Sequence, residues 1–234
     1  MGIRGLDKRI SVKPTEPDAS GSEKRLQRRQ TIVESAARLF ADIGYTACEM
    51  ERVATEAGIA KGTLYLYFPG KQELFFACVD WGMKSMQEAV RAAAASVPDS
   101  QPFDRFGRAI REYLAFFERH PEYVELLIQE RGIFKDRKRP TYFEYRSANI
   151  GYWKEQWRQM IASGRIRGDL PVDRITDTIG SLLYGTMFTN HFVGRAVSLD
   201  EQYQAILEIV FRGLLSDSER DVFRLPATDG RGAR

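Results

Sequence analysis

Apolar positions along this chain recur with helical spacing almost from end to end, interrupted by glycine and proline rather than by alternating runs. Ile32, Ala36, Leu39, Phe40 and Ile43 form one stripe that stops at Gly44, a residue suited to the left-handed cap of a helix. Met50, Val53, Ala54 and Ala57 follow at i, i+3, i+4 and i+7 and predict a helix of about two turns, closed by a turn at Gly58. Beyond it Leu64 and Phe68 sit four apart and face inward with Tyr67 near them, while about 100° per residue turns Gly62 and Leu66 outward, flanked by Thr63 and Tyr65. Pro69 and Gly70 end this third helix.

From residue 71 onward the pattern predicts six longer helices, over 71–96, 103–119, 122–134, 141–163, 172–194 and 199–215. Proline- and glycine-bearing turns separate them, at 97–102, His120-Pro121, 138–140, 164–171 and 194–198. No internal repeat and no strand pattern is present. The fold class is therefore all-α: a three-helix helix-turn-helix unit over 24–70 and a larger helical domain over 71–215. Residues 1–23 and 216–234, rich in Pro, Gly and mixed charge without periodicity, read as flexible tails.

Two short helices across a glycine turn, the second offering small, hydroxyl and aromatic groups on its free side, are how a helix made for a DNA major groove looks in sequence. Gly62 admits the sugar-phosphate chain closely, Thr63 offers a hydroxyl or a methyl, and Tyr65 carries a hydroxyl on a rigid ring. Lys61 and Lys71 read as phosphate anchors, Lys71 beside a helix N-terminus. Ahead of the first helix, Lys24, Arg25, Arg28 and Arg29 form a basic run placed to follow the backbone or enter a minor groove. A helix-turn-helix pattern also occurs in all-helical proteins that never meet DNA, and a charged, tyrosine-bearing face is often only solvated surface.

Residues 44–71 narrow the choice. Gly44-Tyr45, Val53-Ala54, Ala57-Gly58, Lys61-Gly62-Thr63-Leu64-Tyr65, Tyr67-Phe68-Pro69 and Lys71-Gln72-Glu73-Leu74 resemble the DNA-binding domain of the TetR/AcrR family of bacterial transcriptional regulators. The resemblance implies DNA contacts at Lys61, Gly62, Thr63, Tyr65, Tyr67 and Lys71, to which the basic run adds Arg25 and Arg28. Two positions depart from the family pattern. Cys48 and Glu49 stand where a Thr or Ser usually opens the second helix, and Ala60 stands where a Ser usually precedes the lysine, so each helix loses a hydroxyl cap worth ~1 kcal/mol.

The near-balanced charge, formally +3 over 234 residues, is too mild for a protein that coats nucleic acid without sequence preference. Specific docking of a dimer on a palindromic double-stranded operator is the expectation, since two recognition helices about one DNA turn apart make weak half-sites into one strong site. The dimer surface is expected on the last two helices. Ile175, Ile179, Leu182, Leu183, Thr186 and Met187 run along one broad face with Gly180 and Gly185, and Ile206, Ile209, Val210, Gly213 and Leu214 repeat the pattern. The same stripes would equally serve to close a monomer core.

Large aromatic side chains crowd the middle helices, with Gln129, Asn149, Asn190 and His191 among them, as a small-molecule cavity between helices requires. The resemblance implies an effector pocket there, and Phe117, Trp153, Trp157, Tyr184, Phe188 and His191 are its candidate lining. His191 also reads as a structural hydrogen-bonding residue. The function this predicts is a regulator, a repressor released by a small hydrophobic or aromatic effector. An activator, a ligand-independent regulator and a nonspecific architectural protein are the alternatives.

An enzyme is not indicated. The chain has only His120 and His191, and no nucleophile elbow, HExxH or phosphate loop. No cofactor or metal is called for, because Cys48 and Cys78, placed on different predicted helices, show no metal-ligand spacing; a redox role for them is a minor alternative. Without an apolar run of about 18 residues or a signal segment, no membrane partner is expected and the cytoplasm is the expected location.

Overall fold

The computed structural model describes residues 19–213, and they fold into nine helices joined by short turns. The first three are α1 (Ala19–Ala47), α2 (Met50–Glu56) and α3 (Lys61–Tyr67). Six more follow: α4 (Lys71–Ala95), α5 (Pro102–Arg119), α6 (Pro121–Ile133), α7 (Thr141–Ala162), α8 (Val172–Val193) and α9 (Leu199–Arg212). No strand occurs among the described residues. Apart from the start of α1, the observed ends lie close to those the apolar periodicity predicts. Residues 1–18 and 214–234, which hold most of both expected tails and Leu214 of the expected dimer face, lie outside the described residues.

Two expectations near the N-terminus change. The helix α1 begins at Ala19, so residues 19–23 are helical and Lys24, Arg25, Arg28 and Arg29 ride on the first helix instead of preceding it. The apolar stripe starts only at Ile32 because the exposed N-terminal turns of α1 touch too little of the core to need one. Cys48 sits in the two-residue link between α1 and α2, and so not on a helix; both cysteines are buried. Burial pushes the thiol pKa of each upward, Cys78 the further, which keeps them protonated and unreactive.

Ile32, Val33, Phe40, Val53 and Leu64 are fully buried where α1, α2 and α3 meet, so these short helices share one core. That core is continuous with the next, because α1 packs lengthwise on α4 and α6. Gly82 lets α6 come close to α4: a Cβ there would lie 2.2 Å from the Tyr123 ring. A smaller apolar cluster of Phe106, Trp157 and Met160 fills the far end of the bundle, with Ile175, Ile179 and Phe211 against it.

The expected single dimer face on α8 and α9 is divided. Met187 and Ile206 turn into the protomer core, and Ile175 and Ile179 join the far cluster. Gly180 is covered by the Arg146 guanidinium. Past the exposed Asp173, Arg174 and Asp177 near its start, what stays outside on α8 is Thr178, Ser181, Leu182, Gly185, Thr189, Phe192 and Val193, an uncharged strip at helical spacing, with Ile209 exposed on α9.

Candidate nucleic-acid interface and effector cavity

At the start of α2 and of α3 no side chain caps the helix, as the missing hydroxyls at positions 49 and 60 lead one to expect. Instead Gly58, at φ 63°, turns the chain, and Ile59 N–H donates back to the Ala54 carbonyl at 2.9 Å. Leu64 and Phe68 then anchor α3 by burial, which leaves Lys61, Gly62, Tyr65 and Leu66 exposed and Thr63 and Tyr67 half-buried. Leu66, with 79% of its surface exposed, is an apolar side chain standing alone on the outer face.

The cations around this face are only partly free. Lys61 is ion-paired with Glu51 of α2, and since both are largely exposed the pair can open at little cost. The Arg25 guanidinium lies 6.0 Å from the centre of the Tyr67 ring, and Arg29 lies 5.1 Å from that of Phe68, so α1 and α3 present adjoining surfaces. Lys71 differs from its expected role as a plain phosphate anchor. Its ammonium donates to the Tyr45 carbonyl at 2.9 Å and the Thr46 carbonyl at 3.1 Å, and sits 4.7 Å from the Tyr45 ring centre. One of its three N–H donors remains for a phosphate.

Far from this face, α4, α5, α7 and α8 line a half-open cavity of about 160 Å³. Its walls are apolar, Val90, Phe106, Ile110, Trp153, Trp157 and Leu183 among them, and Phe106 stacks on Trp157 at 3.8 Å. The Tyr113 and Tyr142 hydroxyls meet at 3.0 Å on the inner wall. Burial pushes the Tyr113 pKa well above its ordinary value and that of Tyr142 up to about 12, so both stay neutral hydrogen-bonding groups. Two guanidiniums also reach the lining: Arg91, hydrogen-bonded to the neutral amide of Asn149, and Arg146, paired at 2.8 Å with the exposed carboxylate of Asp177.

The six expected lining residues divide three ways. Trp153 and Trp157 line the cavity. Phe117 and His191 line a separate hollow of about 220 Å³ between α5, α6 and α8, where His191 Nε2 lies 3.4 Å from a Glu125 carboxylate oxygen. Tyr184 and Phe188 line neither; they join a file of rings from Tyr142 to Tyr184 at 4.7 Å and on to Phe188 at 4.8 Å. The cause is rotational. Thr176, Ile179, Gly180 and Leu183 form the cavity face of α8, and one further residue turns Tyr184 about 100° away.

The cavity residues absent from the expected set include the hydrogen-bonding and charged side chains of Tyr113, Tyr142, Arg91 and Arg146. A signal existed on α7, where Tyr142, Arg146, Asn149, Ile150, Trp153 and Trp157 share one helical face, so that an arginine interrupts an aromatic stripe. Among the polar candidates only Asn149 lines this cavity; Gln129 reaches α1 instead.

Residues 32–78 match the family model described as bacterial regulatory proteins, tetR family. Two curated transcriptional regulators of Bacillus subtilis agree. YhgD is 27% identical over 142 residues, 61% of this chain and 73% of YhgD; YerO is 24% identical over 117 residues, 50% of this chain. Residues 32–78 thus carry a DNA-binding domain similar to that of the TetR family. The stretch matched in YerO is only 40% of that protein's length. Beyond the family model's reach the fold is shared with a solved structure: FadR of Bacillus subtilis, solved in complex with stearoyl-CoA, superposes with a TM-score of 0.67 at 18% identity, covering 80% of this chain and 99% of FadR. Both Bacillus relatives are described as HTH-type transcriptional regulators. No described helix is long and apolar enough to cross a membrane, and no group of metal-ligating side chains occurs among the described residues.

Proposed function

We propose that this protein is a homodimeric, sequence-specific repressor released from a palindromic operator by a small apolar effector. The observation that carries the reading is the separation of two surfaces within one packed chain. The outer face of α3 offers Gly62 and Tyr65 exposed and Thr63 half-buried beside them, while an apolar cavity lies between α4, α5, α7 and α8. The helix α4 belongs to both, beginning at Lys71 just after α3 and lining the cavity with Met86, Gln87, Val90 and Arg91. A ligand that favours one packing of α4 thereby favours one position of α3. Among the DNA contacts, Lys61, Gly62, Thr63, Tyr65 and Tyr67 read the duplex, with Arg25, Arg28 and the remaining donor of Lys71 on the phosphates.

The uncharged outer strip of α8 from Thr178 to Val193, with Ile209 of α9, is the dimer surface in this reading. The effector has an apolar body and one anionic group. Trp153, Trp157 and Phe106 receive the body, and Arg91, whose bonding partner is a neutral amide, receives the charge. A cavity of about 160 Å³ is close in size to one that holds a single benzene ring. A short acyl or one-ring acid is therefore accommodated within it, whereas a long chain such as the stearoyl group in the FadR complex would extend beyond this volume.

Polarisation of a labelled duplex from the gene's own upstream region, with Trp153 and Trp157 as intrinsic fluorescent reporters, tests both parts. Tyr65→Ala is expected to weaken specific binding at least tenfold while leaving the dimer intact. 4-Phenylbutyrate is expected to quench the tryptophans and release the duplex more effectively than 4-phenylbutanol. Equal binding by parent and Tyr65→Ala would remove α3 from its role, and the same response to acid and alcohol would remove the anionic group from the effector.

A further inference from the structure

The break in α1 is held shut from two other helices. At Gly44 the backbone leaves helical geometry, φ 79° and ψ 154°, so the N–H of Tyr45 is turned out of the helical ladder and needs another acceptor. It finds one on α6: Gln129 Oε1 accepts from Tyr45 N–H at 2.8 Å, and Gln129 Nε2 donates to the Phe40 carbonyl at 2.7 Å. One carboxamide thus grips α1 on both sides of the break. From the opposite direction, Lys71 Nζ donates to the carbonyls of Tyr45 and Thr46. The N–H and C=O of Tyr45 are therefore both satisfied by side chains from other helices, one from α6 and one from the first residue of α4.

The Tyr45 ring completes the junction. Its centre lies 5.2 Å from Phe75 of α4 and 5.1 Å from Phe134, the residue that ends α6. Lys71 follows α3 by only Phe68, Pro69 and Gly70, so the position of Tyr45 bears on the recognition helix through one short connection. We infer that Gln129 is a positioning residue for DNA recognition, fixing the angle of the α1–α3 unit against α6 through the sequence Gln129, Tyr45, Lys71. This rests on the proposal that the protein reads DNA as a dimer. Beside a bond to Glu125 on its own helix at 3.3 Å, the two hydrogen bonds that the carboxamide makes to α1 are oriented, so a small turn of α6 must drag α1 with it or break them. An apolar side chain of similar reach would fill the same space and allow the two bodies to slide.

Gln129→Met tests this, being unbranched and similar in length, with Gln129→Leu as a second variant should the first fail to fold. Site-resolved amide exchange reads the clamp without DNA. The Tyr45 amide is expected to be protected in the parent and to exchange at least tenfold faster in the variant, while the Cys48 amide, bonded to the Gly44 carbonyl at 3.1 Å, keeps its protection. Unchanged protection at Tyr45 would overturn the clamp. The second reading uses palindromic duplexes whose half-sites are moved apart or together by one and two base pairs. The parent should bind one spacing at least tenfold better than its neighbours, and the variant should lose that preference. A uniform loss of affinity at every spacing would assign Gln129 to stability alone and overturn the positioning role. If the parent itself shows no spacing preference, the dimeric reading fails, whereas the exchange result decides the clamp separately.

Discussion

Glu130 is a carboxylate with 1% of its surface exposed, and its replacement has a cost that can be worked from its bonds. Its Oε1 accepts from the Thr141 N–H at 3.0 Å, from the Thr141 hydroxyl at 2.8 Å and from Arg137 at 2.8 Å. It thereby caps the first turn of α7 from α6, one residue before cavity-lining Tyr142, and it complements the positive end of the α7 dipole. In Glu130→Gln the amide oxygen can keep all three donors but loses the charge. Hydrogen bonds to charged groups contribute about 1.5–3 kcal/mol against about 0.5–1.5 for neutral ones, so three weakened bonds cost roughly 3 kcal/mol. Arg137 retains Glu144 at 2.6 Å, which reduces the loss to about 2–3 kcal/mol. Glu130→Leu leaves the Thr141 N–H and hydroxyl buried without an acceptor and should cost more, about 3–5 kcal/mol. At roughly 2–4 °C per kcal/mol for a chain of this size, Glu130→Gln should lower Tm by about 4–12 °C. Urea titrations of parent and both variants read these values, and the order Leu worse than Gln is part of the expectation. A loss below about 1 kcal/mol for both would refute the view that this carboxylate holds α6 to α7.

Three further outcomes follow from the packing. Gly82→Ala should lower the denaturation midpoint by pushing Tyr123 and α6 off α4, and Tyr123→Leu in the same chain should recover part of the loss; an unaltered midpoint for Gly82→Ala alone would show that the helices have room to spare. Tyr142 keeps its proton up to about pH 12 in the folded protein but gives it up near 10 when unfolded, so its contribution is fully present below pH 10 and disappears between pH 10 and 12; stability measured alongside tyrosinate absorbance should fall over that interval. Leu182→Glu puts a charge into the uncharged strip of α8 and should convert the dimer to monomer by sedimentation without lowering helicity, whereas an unaffected dimer would move the interface elsewhere.

The helices were legible because apolar periodicity and glycine or proline punctuation agree with each other along the whole chain. The exposed face of α3 was legible for the same reason: two buried anchors four apart, Leu64 and Phe68, leave only one side for everything else. The cavity was legible only as a composition. Which aromatic residues face it depends on how each helix is rotated against three neighbours, and a rotation of one residue separates Leu183, which lines it, from Tyr184, which does not. Arg91 and Arg146 were not among the expected lining, because a long side chain that lays its stem along apolar surface and its head at the edge has the same sequence signature as solvated charge. The contacts of Lys71 and Gln129 with α1 were not legible either. Their partners are backbone atoms freed by the break at Gly44, and such partners leave no trace in side-chain pattern.

Selection of bound duplexes from a pool of random sequence by the purified protein tests the central claim most directly, since it presupposes neither operator nor effector. A dimer reading DNA through α3 should enrich one palindromic motif with its half-site centres about one helical turn apart or a multiple of it, and Tyr65→Ala should fail to enrich it. Recovery of sequences with no common motif, or of the same motif by both proteins, would contradict the account.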